Sequence, residues 1–138
     1  MKIKQDFVTN SSSTAFIISM NKPWSQENFL NAIGLEGKSP MNKLFEQLYE
    51  AINSDKCEIK QYMKRWAPDC SNVSDFLRKE GFCEETILVT EQLIDSGRTV
   101  YYGKLSSDGE TAAEVFFCCE SFLVCDDNLY FNGRISGW

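Results

Sequence analysis

Six consecutive hydroxyl or amide side chains near the start of the sequence are the residues that most readily suggest chemistry. They are Thr9, Asn10, Ser11, Ser12, Ser13 and Thr14, and apolar residues stand on both sides of them. Such side chains compete with the backbone for hydrogen bonds and favour turns over strands. The run could therefore form a loop whose side chains bind phosphate or carboxylate. The alternative is a hydrogen-bonded turn or an edge segment that shields the next strand, because the run lacks the glycines and lysine of phosphate-binding loops.

The run belongs to a longer recognisable string. Residues 6–18 read D-F-V-T-N-S-S-S-T-A-F-I-I. This string resembles the opening of a set of uncharacterised bacterial and archaeal proteins that begin D-F-V-T-N-S-S-S-S-S-F followed by a β-branched pair. The chain departs from that pattern at Thr14 and Ala15, where the serine run usually continues. No activity is assigned to these proteins, so the resemblance implies no catalytic residues.

Nucleophilic catalysis would need an unusual base in this chain. There is no histidine, so a serine or cysteine would have to be activated by Lys, Asp or Glu. Cys70 and Cys83 are the cysteines beside predicted loops. The charges of Glu84 and Glu85 raise the pKa of Cys83 unless the N–H groups of the following helix outweigh them. Most free cysteines are buried small hydrophobes, which is the alternative for both.

Metal-binding patterns are weak. The six cysteines are Cys57, Cys70, Cys83, Cys118, Cys119 and Cys125, with no C-x-x-C pair among them. The common zinc spacings are therefore missing. The acidic residues Asp108, Glu110 and Glu114 do not follow the calcium-loop pattern, and Asp126-Asp127 is typical of a turn. The sequence predicts neither a metal site nor a cofactor.

Basic residues recur at helical spacing in one segment. Lys56, Lys60 and Lys64 lie four residues apart and, with Arg65, would form one stripe on a helix. The stripe could bind an anion, and neighbouring aromatic rings could stack on a nucleic-acid base. The alternative is a solvated helix face. The formal charge of −6 and pI of about 4.7 make nucleic acid an unlikely partner.

Composition indicates an ordinary globular protein. Hydrophobic residues make up 43 % of the chain, charged residues 25 % and aromatic residues 13 %. Residues 1–65 carry nine basic and seven acidic side chains, whereas residues 66–138 carry five and thirteen. This asymmetry favours a basic protein partner or a cation. With neither a secretion signal nor an apolar stretch of membrane-spanning length, the sequence predicts a cytoplasmic protein that does not enter the membrane.

Periodicity predicts a single α+β domain over residues 1–138. A strand is predicted at residues 15–20, followed by helices at 25–34, 40–54, 55–66, 74–80 and 84–97. The segment 55–66 either continues the preceding helix or follows a break at Asn53-Ser54. A strand is predicted at 98–105 and a hairpin at 121–131. Residues 110–119 suit a helix or a strand, and the helix is favoured. These elements predict a small, mostly antiparallel sheet of three to four strands from the chain ends, with the helices from the middle packed on it.

The sequence favours recognition over catalysis. The main interpretation is a non-catalytic module that binds another protein. Trp138 either packs into the core of its own chain or docks on the partner as an aromatic anchor. The alternative is an enzyme or a nucleotide- or phosphate-binding protein that uses residues 9–14.

Overall fold

The sheet is built around the first strand. The computed structural model describes residues 13–34, 40–106, 122–125 and 128–136, which contain five strands and five helices. In chain order the elements are β1 (Ser13–Met20), α1 (Gln26–Ala32), α2 (Pro40–Asp55), β2 (Cys57–Glu58), α3 (Ile59–Trp66), α4 (Val73–Lys79), α5 (Glu84–Asp95), β3 (Tyr101–Ser106), β4 (Phe122–Cys125) and β5 (Leu129–Ser136). β1 pairs antiparallel with β3 on one side and with β5 on the other.

The strand order is β2-β3-β1-β5-β4, and every neighbouring pair is antiparallel. The α+β class is confirmed, but the prediction of three to four strands from the chain ends is wrong. The additional strand, β2, comes from the middle of the chain and pairs Cys57 with Tyr102 and Glu58 with Tyr101. Two residues are too short to show an alternating pattern, so only their tertiary partner makes them a strand.

Both faces of the sheet are covered by helices. Along β1, Ala15 and Ile17 point to one face, whereas Phe16 and Ile18 point to the other, and all four are at most 3 % exposed. The first pair belongs to a core with α3, α4 and α5, and the second to a core with α1 and α2. This double burial explains why β1 is apolar at consecutive positions instead of alternating with polar residues.

The chain changes faces between α2 and α3. Leu48 and Ile52 of α2 pack in the core with Phe16, whereas Ile59 and Met63 of α3 pack in the core with Ile17. The break lies at residues 56–58 rather than at Asn53-Ser54, because β2 runs along the edge of the sheet there. Of the two alternatives for residues 55–66, the separate helix is confirmed, with its break displaced.

Local capping sets the other helix ends. The Ser25 hydroxyl accepts a hydrogen bond from the Asn28 N–H at 3.1 Å, which confirms the predicted start of α1. Asn72 caps α4 in the same way at 2.8 Å, so that helix begins at Val73, one residue before the predicted start. Gly97 follows α5 with a φ of 92°, the left-handed conformation that glycine commonly adopts after a helix end.

The predicted hairpin is confirmed where the structure describes it. β4 and β5 pair antiparallel, and β5 continues to Ser136, so residues 134–136 are strand and not a free tail. Several predictions lie outside the described residues: those for residues 9–12, for 110–119, for Asp126-Asp127 and for Trp138. None of the described helices is long and apolar enough to cross a membrane.

Candidate functional site

The hydroxyl run does not form one described loop. Thr9, Asn10, Ser11 and Ser12 lie outside the described residues, so a ligand-binding role for them stays a prediction. Ser13 and Thr14 lie in β1, where they pair with Ser106 and Leu105 on one side and with Ser136 and Ile135 on the other. For these two residues the predicted loop and edge-segment conformations are both wrong, while a ligand-binding role stays a prediction. Neighbouring strands satisfy the backbone on both sides, which overrides the local preference for a turn.

The four basic residues of the predicted stripe are divided between two places. Lys56 precedes β2 instead of lying on a helix, and its Nζ lies 4.4 Å from the Tyr101 ring centroid and 5.3 Å from that of Trp24. Lys60, Lys64 and Arg65 lie on α3 and are exposed. The chain crosses to the other face of the sheet between these two places. The prediction that the four cations form a single stripe on one helix is therefore wrong.

An open groove of about 750 Å³ lies between α3 and α5. Its apolar lining comes from both helices and from the connection between α3 and α4. Met63 of α3 and Ala67, the residue that follows this helix, are nearly buried there. Ile94 of α5 is half-buried, and Leu88 of α5 is 56 % exposed. Leu88 lies beside a concave apolar surface, so covering its side chain there would gain free energy.

The two sides of this groove carry opposite charges. Lys60 and Lys64 lie on the α3 side, while Glu91 and Asp95 lie on the α5 side. Each pair is spaced four residues apart, so each forms a row along its helix. The Glu91 carboxylate also accepts a hydrogen bond from the Ser74 hydroxyl, which ties the α5 side of the groove to α4.

The predicted helix at residues 84–97 does not by itself separate Leu88 from its buried neighbour Ile87. Ile87 and Thr90 are buried, and Ile94 packs against the same core, so the inward stripe follows a spacing of three and four residues. Leu88 lies one residue after Ile87, about 100° around the helix, and falls off that stripe. This offset was the available signal for an outward leucine.

Tyr102 and Glu80 form a buried polar contact on the same face of the sheet. The Tyr102 hydroxyl donates to the Glu80 carboxylate at 2.7 Å, and the Lys104 Nζ lies 3.9 Å from the same oxygen. Burial raises the pKa of Tyr102 far above its ordinary value, and the bond to Glu80 raises it further. Tyr102 therefore stays neutral and acts as a structural donor.

Cys83 is an exposed thiol at the start of α5. Its Sγ lies 3.3 Å from the Thr86 Oγ1, and the Asn132 amide donates to that same oxygen at 3.1 Å. When the thiol is ionised, the Thr86 hydroxyl can donate to the sulfur and stabilise the thiolate. The pKa of Cys83 is lowered, first by this side-chain bond and then by the Thr86 backbone N–H, which outweigh the charge of Glu85. At this position the hydrogen bonds from the first turn of α5 therefore lower the pKa of Cys83 more than the neighbouring carboxylate raises it.

Replacing Thr86 with valine is expected to slow alkylation of Cys83 by iodoacetamide near neutral pH by about threefold to tenfold. The thiolate loses its hydroxyl donor, so the pKa of Cys83 rises and a smaller fraction is ionised at that pH. Peptide-resolved mass spectrometry of timed samples measures the rate, and the midpoint of its pH dependence should move upward. Thr86→Ser, which keeps the hydroxyl, should react like the native protein, and an unchanged rate in Thr86→Val would contradict the assignment.

Among the described residues, no group of three or more Cys, Asp or Glu side chains is placed to hold a metal ion. No family model, curated protein or solved structure matches the chain. The protein is therefore described by its architecture alone. Helices cover both faces of an antiparallel sheet, and an open apolar groove lies between α3 and α5, which cover the same face.

Proposed function

We propose that the protein is a non-catalytic protein-binding module of the cytoplasm, and that the groove between α3 and α5 receives an amphipathic helix of a partner protein. The observation that carries this proposal is the apolar floor of the groove flanked by two rows of opposite charge. Helix-in-groove recognition uses this combination of an apolar seam and charged margins.

The floor supplies the free energy of binding. Met63, Ala67 and Ile94 line it, and Leu88 stands at its side with more than half of its surface in water. A docked apolar helix face would remove the Leu88 side chain from water, at a gain of about 25 cal/mol for each Å² of apolar area buried. Leu88 is therefore the expected anchor of the interface.

The charged rows favour a helix as the partner and set its direction. A helix whose apolar face rests on the floor presents its two flanks to α3 and α5, as the flanking positions of a coiled coil do. The row of Lys60 and Lys64 matches an acidic flank, and the row of Glu91 and Asp95 matches a basic one. A helix turned end for end would place like charges together, which is destabilising.

The cytoplasmic assignment is supported by the thiols. Cys57, Cys70, Cys83 and Cys125 are all free, although Cys83 and Cys125 are exposed. Exposed free thiols are typical of a reducing compartment.

Replacing Leu88 with aspartate is expected to weaken partner binding by at least about tenfold, as loss of an interface anchor does. The test uses the full chain as bait in lysate of the native host, followed by binding measurements on each captured protein. A photo-crosslinking amino acid at position 88 identifies the segment that contacts the groove. The proposal expects this segment to be an amphipathic helix with one acidic and one basic flank.

Asn31→Asp is the matched control, because Asn31 is exposed on α1, lies away from the groove and gains the same charge. It should bind like the native protein. Lys64→Glu should weaken binding, whereas Lys43→Glu, at an exposed site on α2, should not. Equal capture by Leu88→Asp and Asn31→Asp would contradict the proposal, as would crosslinks from position 88 only to the same chain or to a second copy.

A further inference from the structure

A second cavity, of about 560 Å³, lies at the opposite end of α5 from Cys83. One wall is the connection from β1 to α1, which contributes Lys22 and Trp24. The other wall is the turn from α5 to β3, which contributes Arg98, and Tyr101 closes one side. Its volume lies in the range of pockets that hold small organic ligands.

The charge of this cavity is unlike that of the whole protein. Of the described residues that line it, Lys22 and Arg98 are charged and none is acidic. The chain as a whole carries a formal charge of −6. Two cations without a carboxylate between them create a local positive potential, which attracts anions.

Arg98 is held in place by the main chain. Its Nη2 donates to the Ser19 carbonyl oxygen at 3.0 Å, and its side chain makes no ion pair with a described carboxylate. Its Nε is buried and has no hydrogen-bond partner in the described part of the chain. The guanidinium is therefore fixed by β1 while its charge stays uncompensated. A bound anion would supply the partner that this charge lacks.

The remaining lining includes two aromatic side chains, Trp24 and Tyr101, among small polar and aliphatic residues. The rings of Trp24 and Tyr101 have centroids 5.8 Å apart and are tilted by 56°. Both also contact the ammonium group of Lys56, a third cation close to the cavity. One face of Trp24 is stacked on Tyr49, with ring centroids 5.2 Å apart. The two rings beside Lys22 and the anchored Arg98 suit a ligand that joins an aromatic ring to an anionic group.

We propose that this cavity binds a small aromatic phosphate of the mononucleotide class. The phosphate contacts Lys22 and the Arg98 guanidinium, and the ring of the ligand lies against Trp24 or Tyr101. This site is separate from the groove between α3 and α5 and does not depend on the function proposed for that groove.

Calorimetric titration of the full chain with AMP at low ionic strength tests the proposal. The comparison ligands are adenosine, which has the ring without the anion, and inorganic phosphate, which has the anion without the ring. AMP should bind more tightly than either. Adenosine binding as well as AMP would overturn the role of the cations, and phosphate binding as well as AMP would overturn the mononucleotide class.

Lys22→Met is the informative variant because Lys22 is exposed and its replacement leaves the core intact. It should weaken AMP binding by about fivefold, the upper end for an exposed ion pair. Lys43→Met removes the same charge from an exposed position that lines neither cavity, and it should leave AMP binding unchanged.

Two results would overturn the site itself. One is that AMP at millimolar concentration produces neither heat in the titration nor a change in tryptophan fluorescence. The other is an equal effect of Lys22→Met and Lys43→Met, which is what the net charge alone would produce.

Discussion

Replacing Phe29 with alanine is expected to lower the free energy of unfolding by about 3–5 kcal/mol. Phe29 is fully buried, and α1 contributes no other buried residue. The centroid of its ring lies 5.7 Å from that of the Tyr49 ring and 6.3 Å from that of the Phe131 ring. Phe29 therefore joins α1 both to α2 and to the sheet. A seven-residue helix is not stable by itself, and its position depends on this packing.

Urea denaturation followed by circular dichroism measures the effect. Asn31→Ala is the control on the same helix, because Asn31 is exposed and its loss should change the free energy of unfolding by less than about 0.5 kcal/mol. Phe29→Leu should give an intermediate value. A loss below about 1 kcal/mol in Phe29→Ala would show that α1 is held in another way.

Replacing Gly103 with alanine is expected to cost about 2–3 kcal/mol, although the change adds only one methyl group. The new Cβ would lie 2.5 Å from the Phe16 Cζ and 3.0 Å from the Asp55 carbonyl oxygen. Neither atom can move away easily. Phe16 is fully buried, and the end of α2 is tied to β3 by a bond of 2.7 Å from the Lys104 N–H to the Asp55 carboxylate.

A double-mutant cycle identifies the cause of this cost. Phe16→Leu removes the ring atom that meets the new Cβ, so Gly103→Ala should cost at least about 1 kcal/mol less in that background. The free energies of unfolding of the native protein, both single variants and the double variant provide the comparison. If Gly103→Ala costs the same in both backgrounds, the ring of Phe16 is not the obstacle.

Local signals predicted much of the fold. The apolar residues of β1, the Ser25 cap, the glycine after α5 and the β4–β5 hairpin are all set by residues close in sequence. The two-residue strand β2 was not predictable in this way, because only its pairing with Tyr101 and Tyr102 defines it. That pairing also takes Lys56 out of the helix and divides the predicted lysine stripe.

The candidate binding surfaces were harder to predict for a related reason. The groove joins Lys60 and Lys64 to Glu91 and Asp95, and the second cavity joins Lys22 to Arg98. Each set combines segments that are far apart in sequence and become neighbours only when the helices pack on the sheet. Sequence periodicity places side chains around one helix but does not say which other helix lies beside it.

The central position of β1 has a consequence for synthesis in the cell. Both strands that flank it, β3 and β5, are translated long after residues 13–20 leave the ribosome. Pairing over such a sequence separation is slow, and an unpaired apolar strand is prone to aggregate. We therefore expect the nascent chain to depend on holdase chaperones until residues 129–136 emerge and pair with β1.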